Sequence, residues 1–144
     1  MLVLTEMPLT GLDHVQLAAP RGCEEAARAF FGALLGLGEL EKPESLRARG
    51  GVWFALADGR QLHIGVAEPF APATKAHPAF RVAAFDDLRQ RLGDAGVAVR
   101  DDEELPGVRR FYADDPWGKP SRARRRVVAG SDPASKVQLL VHSG

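Results

Sequence analysis

His14, His63 and His77 each fall in a short stretch where polar and apolar residues alternate, and in each the histidine shares a face with polar or small groups. His14 lies with Gln16, His63 with Gln61 and Gly65, and His77 with Ala79 and Arg81. Val15, Leu17, Leu62, Ile64, Phe80 and Val82 occupy the opposite faces. Neutral imidazole is a good donor to divalent metals, and two histidines with a carboxylate form an open site for iron, manganese, nickel or zinc. The competing reading of a lone strand histidine is a hydrogen-bonded or solvent-facing group. His14 and His77 stand apart because each opens the first strand of a repeated pattern, so a pseudo-twofold brings them together. His63, with Gln61 beside it, reads as a ligand, as a group behind a ligand, or as a contact to substrate. His142 reads as surface.

The elements that must position these side chains come in a sequence that occurs twice. Asp13 to Ala18 alternates as a half-buried strand, and Pro20, Gly22 and Cys23 break it. Behind Glu24 and Glu25, which suit a helix start, Ala26, Ala27, Phe30, Phe31, Leu34 and Leu35 recur at helical spacing until Gly36 and Gly38 end the helix. Strands follow near Glu39 to Lys42, at Val52 to Leu56 and, after the Asp58-Gly59 hairpin signal, at Gln61 to Val66. The Pro-rich residues 69–76 then lead into a strand at His77 to Ala83, a helix at Phe85 to Ala95, and strands at Val97 to Arg100 and Arg109 to Ala113. The expectation is an α+β fold of two βαβββ modules, 11–68 and 77–118, with the second incomplete. If the two sheets curl into one cup, the histidines converge inside it.

With 144 residues, 45% hydrophobic and 26% charged, the chain is large enough to bury a core and too ordinary in makeup to be disordered. No apolar run reaches the roughly 20 residues that cross a bilayer, and Met1 to Thr10 lacks a secretory leader, so the expected compartment is the cytoplasm. The lone Cys23 forms no internal disulfide and reads as a small residue at a helix start. The formal charge of zero hides a break: Met1 to Gly118 carries 13 basic and 18 acidic residues, whereas Lys119 to Gly144 carries 6 and 1. A run of Arg can neutralise phosphates, but no nucleic-acid recognition motif accompanies this one, and a solvated basic tail over 119–144 is the expectation.

Four segments in order, Leu12-Asp13-His14-Val15-Gln16-Leu17, Ala29-Phe30-Phe31-Gly32-Ala33-Leu34-Leu35-Gly36-Leu37, His77-Pro78-Ala79-Phe80-Arg81-Val82 and Arg110-Phe111-Tyr112-Ala113-Asp114-Asp115-Pro116-Trp117-Gly118, resemble the vicinal oxygen chelate superfamily of glyoxalases, bleomycin-resistance proteins and extradiol dioxygenases. The resemblance covers residues 11 to 118. It implies paired βαβββ modules, often a homodimer, and a divalent metal (Fe, Mn, Ni or Zn) held by a His on the first strand, a His opening the fifth and a Glu on the eighth. Carried over, these are His14, His77 and no residue, because the Glu is absent. In glyoxalase-like members the fourth strand adds a ligand, and here that strand offers Gln61 or His63.

The family's turn is usually followed by a segment like Asn-Arg-Leu-Glu-Leu, whereas Gly118 here precedes Lys119-Pro120-Ser121-Arg122-Ala123-Arg124-Arg125. These residues can be encoded as AAA CCG TCT CGA GCT CGT CG, and removal of one A yields Asn-Arg-Leu-Glu-Leu-Val. The hypothesis that follows is a one-base shift of frame. Sequencing of the coding DNA tests it, and an uninterrupted frame removes it. As the chain stands, Val127 to Ala129 and Lys136 to Val141 are the later strand candidates, and the second places Gln138 near the position of the missing Glu. A neutral amide is a weaker ligand than a carboxylate for a hard ion.

Two functions compete. In a glyoxalase-like metal-dependent enzyme, His14 and His77 hold the metal, the metal polarises a small oxygen-chelating substrate, and Gln16, Gln61, His63 and Arg81 help. Arg109 holds an anionic group, and Trp53, Phe54, Phe111 and Tyr112 supply an apolar wall. No residue is assigned as the base. In a metal-free small-molecule binder of the bleomycin-resistance type, the same concavity sequesters an aromatic ligand, and the missing Glu favours this reading.

Overall fold

A computed structural model describes residues 7–73, 75–102, 107, 109–117 and 138–142. The first module runs β1 (His14–Ala19), α1 (Glu24–Ala27), β2 (Gly38–Leu40), α2 (Glu44–Arg47), β3 (Val52–Ala55) and β4 (Gln61–Val66). Alternation makes β1 a strand, with Leu17 and Ala19 buried. Gly22, at φ +82°, turns the chain, and Glu24 and Glu25 sit where the helix N-terminus favours negative charge. α1 continues as a π-helical segment, Arg28–Leu34, that buries both Phe30 and Phe31. The four strands form one sheet in the order β1-β4-β3-β2, with β1 parallel to β4 and the rest antiparallel. The short α2 has no apolar period and no buried residue, and it was not expected from the sequence.

Gly51 pins the entry to β3. Its φ is +89°, and a Cβ there would lie 2.1 Å from the Ile64 carbonyl oxygen of β4, so only glycine lets the strands close at this point. Its amide donates to Glu24 Oε1 at 3.1 Å, tying β3 to the start of α1.

The second module repeats the order with β5 (Ala79–Arg81), α3 (Phe85–Asp94), β6 (Val99–Asp102) and β7 (Arg110–Asp114). Its fourth strand, β8 (Gln138–His142), comes from inside the basic tail. The sheet order β5-β8-β7-β6 matches that of the first sheet, but the direction of the fourth strand does not. β8 runs antiparallel to β5 and parallel to β7, whereas β4 is parallel to β1 and antiparallel to β3. The altered final strand is thus a reversed one. Lys119 to Lys136, including the Val127 to Ala129 candidate, lie outside the described residues.

Both modules share one apolar core, which includes Leu17, Phe31, Phe54, Leu62 and Ile64 from the first and Phe85, Leu92, Phe111 and Ala113 from the second. They meet through their helices: Trp117 stacks on Phe31 with centroids 6.2 Å apart, and Arg91 Nη1 donates to the Leu34 carbonyl at 3.0 Å. Each sheet therefore turns its polar face away from the core. Among the described residues the two sheets are not hydrogen-bonded to each other and do not close into one barrel. Cys23 is buried at the helix start, and burial, followed by the Glu24 charge, pushes its thiol up, which keeps it protonated.

Candidate functional site

Three rings form a column on the polar face of the first sheet. Trp53 of β3 and His63 of β4 are directly paired across the strands, with ring centroids 4.0 Å apart and planes 3° from parallel. His14 of β1 stacks on the other side of His63 at 4.4 Å and 17°. Cross-strand neighbours on one face are near enough for such contacts, and long or aromatic side chains also reach the diagonal position, as His14 does here. His63 is 6% exposed, so the middle of the column is dry. The outer ring, His14, has a half-exposed side chain.

Hydrogen bonds fix both imidazoles. His14 Nδ1 meets Asp13 Oδ2 at 2.9 Å, which leaves Nε2 to carry the lone pair. His63 Nε2 donates to the Gln61 amide oxygen at 2.8 Å. Burial, and then the neighbouring His14, hold the His63 imidazole below the ordinary histidine value, against a smaller pull upward from Asp13. Gln16 lies across Gly65, where a Cβ would come within 2.9 Å of its amide carbon. Gly65 thereby makes room for that amide on the same face. Trp53 also borders an open cleft of about 500 Å³, lined with Glu24, Arg28, Glu39, Lys42 and Arg47. The charges there are matched, with Arg28 Nε 2.8 Å from Glu39 and Lys42 donating to the Gly50 carbonyl.

The remaining expected site residues are placed elsewhere. His77 is exposed ahead of β5, with Nδ1 2.8 Å from the Lys75 carbonyl oxygen. Arg81 is exposed on β5. Arg109 is engaged by Asp86, at 2.6 Å, and its guanidinium lies 4.1 Å from the centre of the Phe85 ring. Phe111 is fully buried, edge-on to Phe85 at 5.2 Å, so it belongs to the core and not to a ligand wall. Gln138 sits opposite both Arg81 and Arg110 in the backbone register. Sequence reasoning missed Asp13, whose only signal was adjacency to His14, and the group of Arg110, Asp102 and Tyr112, which needs the β6–β7 register to be seen.

No protein-family model and no curated protein matches the chain. A solved structure of a glyoxalase family protein from Bacillus anthracis is 49% identical, with a TM-score of 0.75, over 79% of this chain and 93% of that one. The chain belongs to the glyoxalase family. A glyoxalase/dioxygenase from Nostoc punctiforme (24% identity, TM-score 0.59, 81% and 90% covered) and TnmS3, an antibiotic binding protein from Streptomyces sp. CB03234 (21%, 0.62, 87% and 96%), share the fold. These neighbours agree with the vicinal oxygen chelate superfamily read from the sequence.

The described donors do not fit a centre of two histidines and a carboxylate. Among the described residues no three His, Cys, Asp or Glu side chains stand close enough to share an ion. His14 and His63 are stacked, so their lone pairs lie in nearly parallel planes and do not meet at one point. In the second sheet the backbone register brings Gln138 between two arginines, Arg81 and Arg110.

Proposed function

We propose that this chain is a small-molecule binding protein of the glyoxalase family that takes a planar ligand against the Trp53–His63–His14 column. The observation that carries this reading is the column itself: three near-parallel rings held in register by β3, β4 and β1 stack face to face, and the column ends in the outer faces of Trp53 and of half-exposed His14, where a further planar ring continues the stack. The cleft beside Trp53 has the volume of an ordinary small-molecule site. An antibiotic binding neighbour of the same fold supports the same class of ligand. Trp117 packs inside against Phe31, so a Trp117→Phe chain leaves Trp53 as its only tryptophan. Titrated with acridone, a neutral planar probe, that chain is expected to show saturable quenching, and Trp53→Ala or His14→Ala to weaken acridone binding, followed by acridone's own emission, about tenfold. Unchanged affinity in both variants would overturn the reading.

A second reading, a metal-dependent glyoxalase-type enzyme with His14 and His77 as ligands, has one support. Asp13 orients His14 so that Nε2 is available to a divalent ion. Elemental analysis of the purified chain decides between the two: near-stoichiometric Fe, Mn, Ni or Zn, lost on His14→Ala or His77→Ala, would favour the enzyme. The assembly we propose is a homodimer, since β1 and β5 each lie at a sheet edge with one open side. Sedimentation of a monomer at all concentrations would exclude it. No helix among the described residues is long and apolar enough to cross a membrane.

A further inference from the structure

The second sheet carries a row of residues that crosses all four strands. Arg81 on β5 is opposite Gln138 on β8, Gln138 is opposite Arg110 on β7, and Arg110 is opposite Asp102 on β6. Phe80 and Phe111, one position away on β5 and β7, pack into the core, so Arg81 and Arg110 share the opposite face. Two strand spacings separate their backbones, about 10 Å, which two long arginine side chains can span. Arg110 is mostly buried, with a side chain 13% exposed, and it gives one Nη to Asp102, which also accepts from Tyr112 Oη at 3.1 Å. Its Nε is buried with no acceptor among the described residues. Arg81 has no ion pair among the described residues. Arg100 and Asp114 on the same face are paired at 3.1 Å. The described side chains of this face therefore carry one positive charge in excess, and the unpaired arginine lies beside Gln138 in the backbone register.

We propose that this face of the second sheet binds a small oxyanion, a carboxylate or phosphate group, held between Arg81 and Arg110. A guanidinium offers a flat fork of donors that suits two oxygens of such a group, and two forks flanking one strand form a clamp. The two guanidinium groups repel a divalent cation, so the site selects an anion. The clamp depends on the second sheet alone and not on the ring column of the first.

Calorimetric titration of the full chain with inorganic phosphate and with acetate, at ionic strength fixed with sodium chloride, tests the clamp. The expected result is saturable binding of at least one of them; phosphate alone identifies a phosphoryl ligand, and both together a general oxyanion site. Arg81→Gln is expected to weaken it tenfold or more. Arg49→Gln removes the same charge from an exposed position on the first module and is expected to leave binding unchanged. Absence of saturable binding, equal affinity in wild type and Arg81→Gln, or an equal loss in Arg49→Gln would overturn the proposal. Circular dichroism of each variant separates loss of the clamp from loss of the fold.

Discussion

His63 is the residue on which the first sheet's polar face depends, because it is sandwiched between Trp53 and His14 and almost free of solvent. Its folded pKa is depressed, so the unfolded chain takes up a proton that the folded chain refuses. Stability from this group is fully present above the ordinary histidine value near 6.5 and is lost as pH falls through the lower folded value. Thermal midpoints measured downward from pH 7 are expected to drop across that window, and less steeply in His63→Gln. An identical profile in the variant would assign the drop to other groups. The faces of His14, His63 and Gln16 were legible in the sequence, since alternation fixes which side a residue takes. The stack was not, because a diagonal contact depends on the register between strands 47 residues apart, which no local pattern encodes. Arg109 and Phe111 were read as ligand contacts for a related reason: only the packing of Phe85 shows that both belong to the helix side.

Among the elements, β3 and β4 owe their close pairing to a single glycine. Gly51→Ala would force a Cβ onto the Ile64 carbonyl at a φ that alanine avoids, and the Glu24 hydrogen bond would be pulled apart with it. A loss of about 3 kcal/mol or more is expected from chemical unfolding, against about 1 kcal/mol for Gly36→Ser, where φ is also positive but nothing lies within 4 Å. Comparable losses at the two positions would mean that φ, and not the close approach, sets the cost. The strands of the first module and most of the second were legible from alternation and turn residues. The direction of β8 was not, because an alternating pattern reads the same from either end; direction is decided by the connection. Residues 56–60 make a hairpin between β3 and β4, whereas 23 residues, 115–137, separate β7 from β8, enough for the crossover that parallel neighbours require.

At the scale of the whole molecule, two modules of the same strand order share a core through their helices and differ in how their fourth strands arrive. Among the described strands β5 and β7 are joined only through β8, so the second sheet holds together by pairing that spans a long stretch of chain. Backbone amides of β5 and β7 are expected to exchange with deuterium faster than those of β1 and β3. Leu140→Pro, which removes a donor from the middle of β8, should widen the gap without touching the first sheet. Equal protection in the two sheets would contradict this picture. The reversed strand also sets an order of events. Closing a 23-residue connection costs about 1.4 kcal/mol more chain entropy than closing one of five, by the logarithmic dependence on loop length. The first sheet can zip from its own hairpin, while the second must wait for a distant segment to find a gap between two strands that do not yet touch. Two halves that share one strand order once finished are thus unequal in their history, with the first module serving as the surface on which the second is completed.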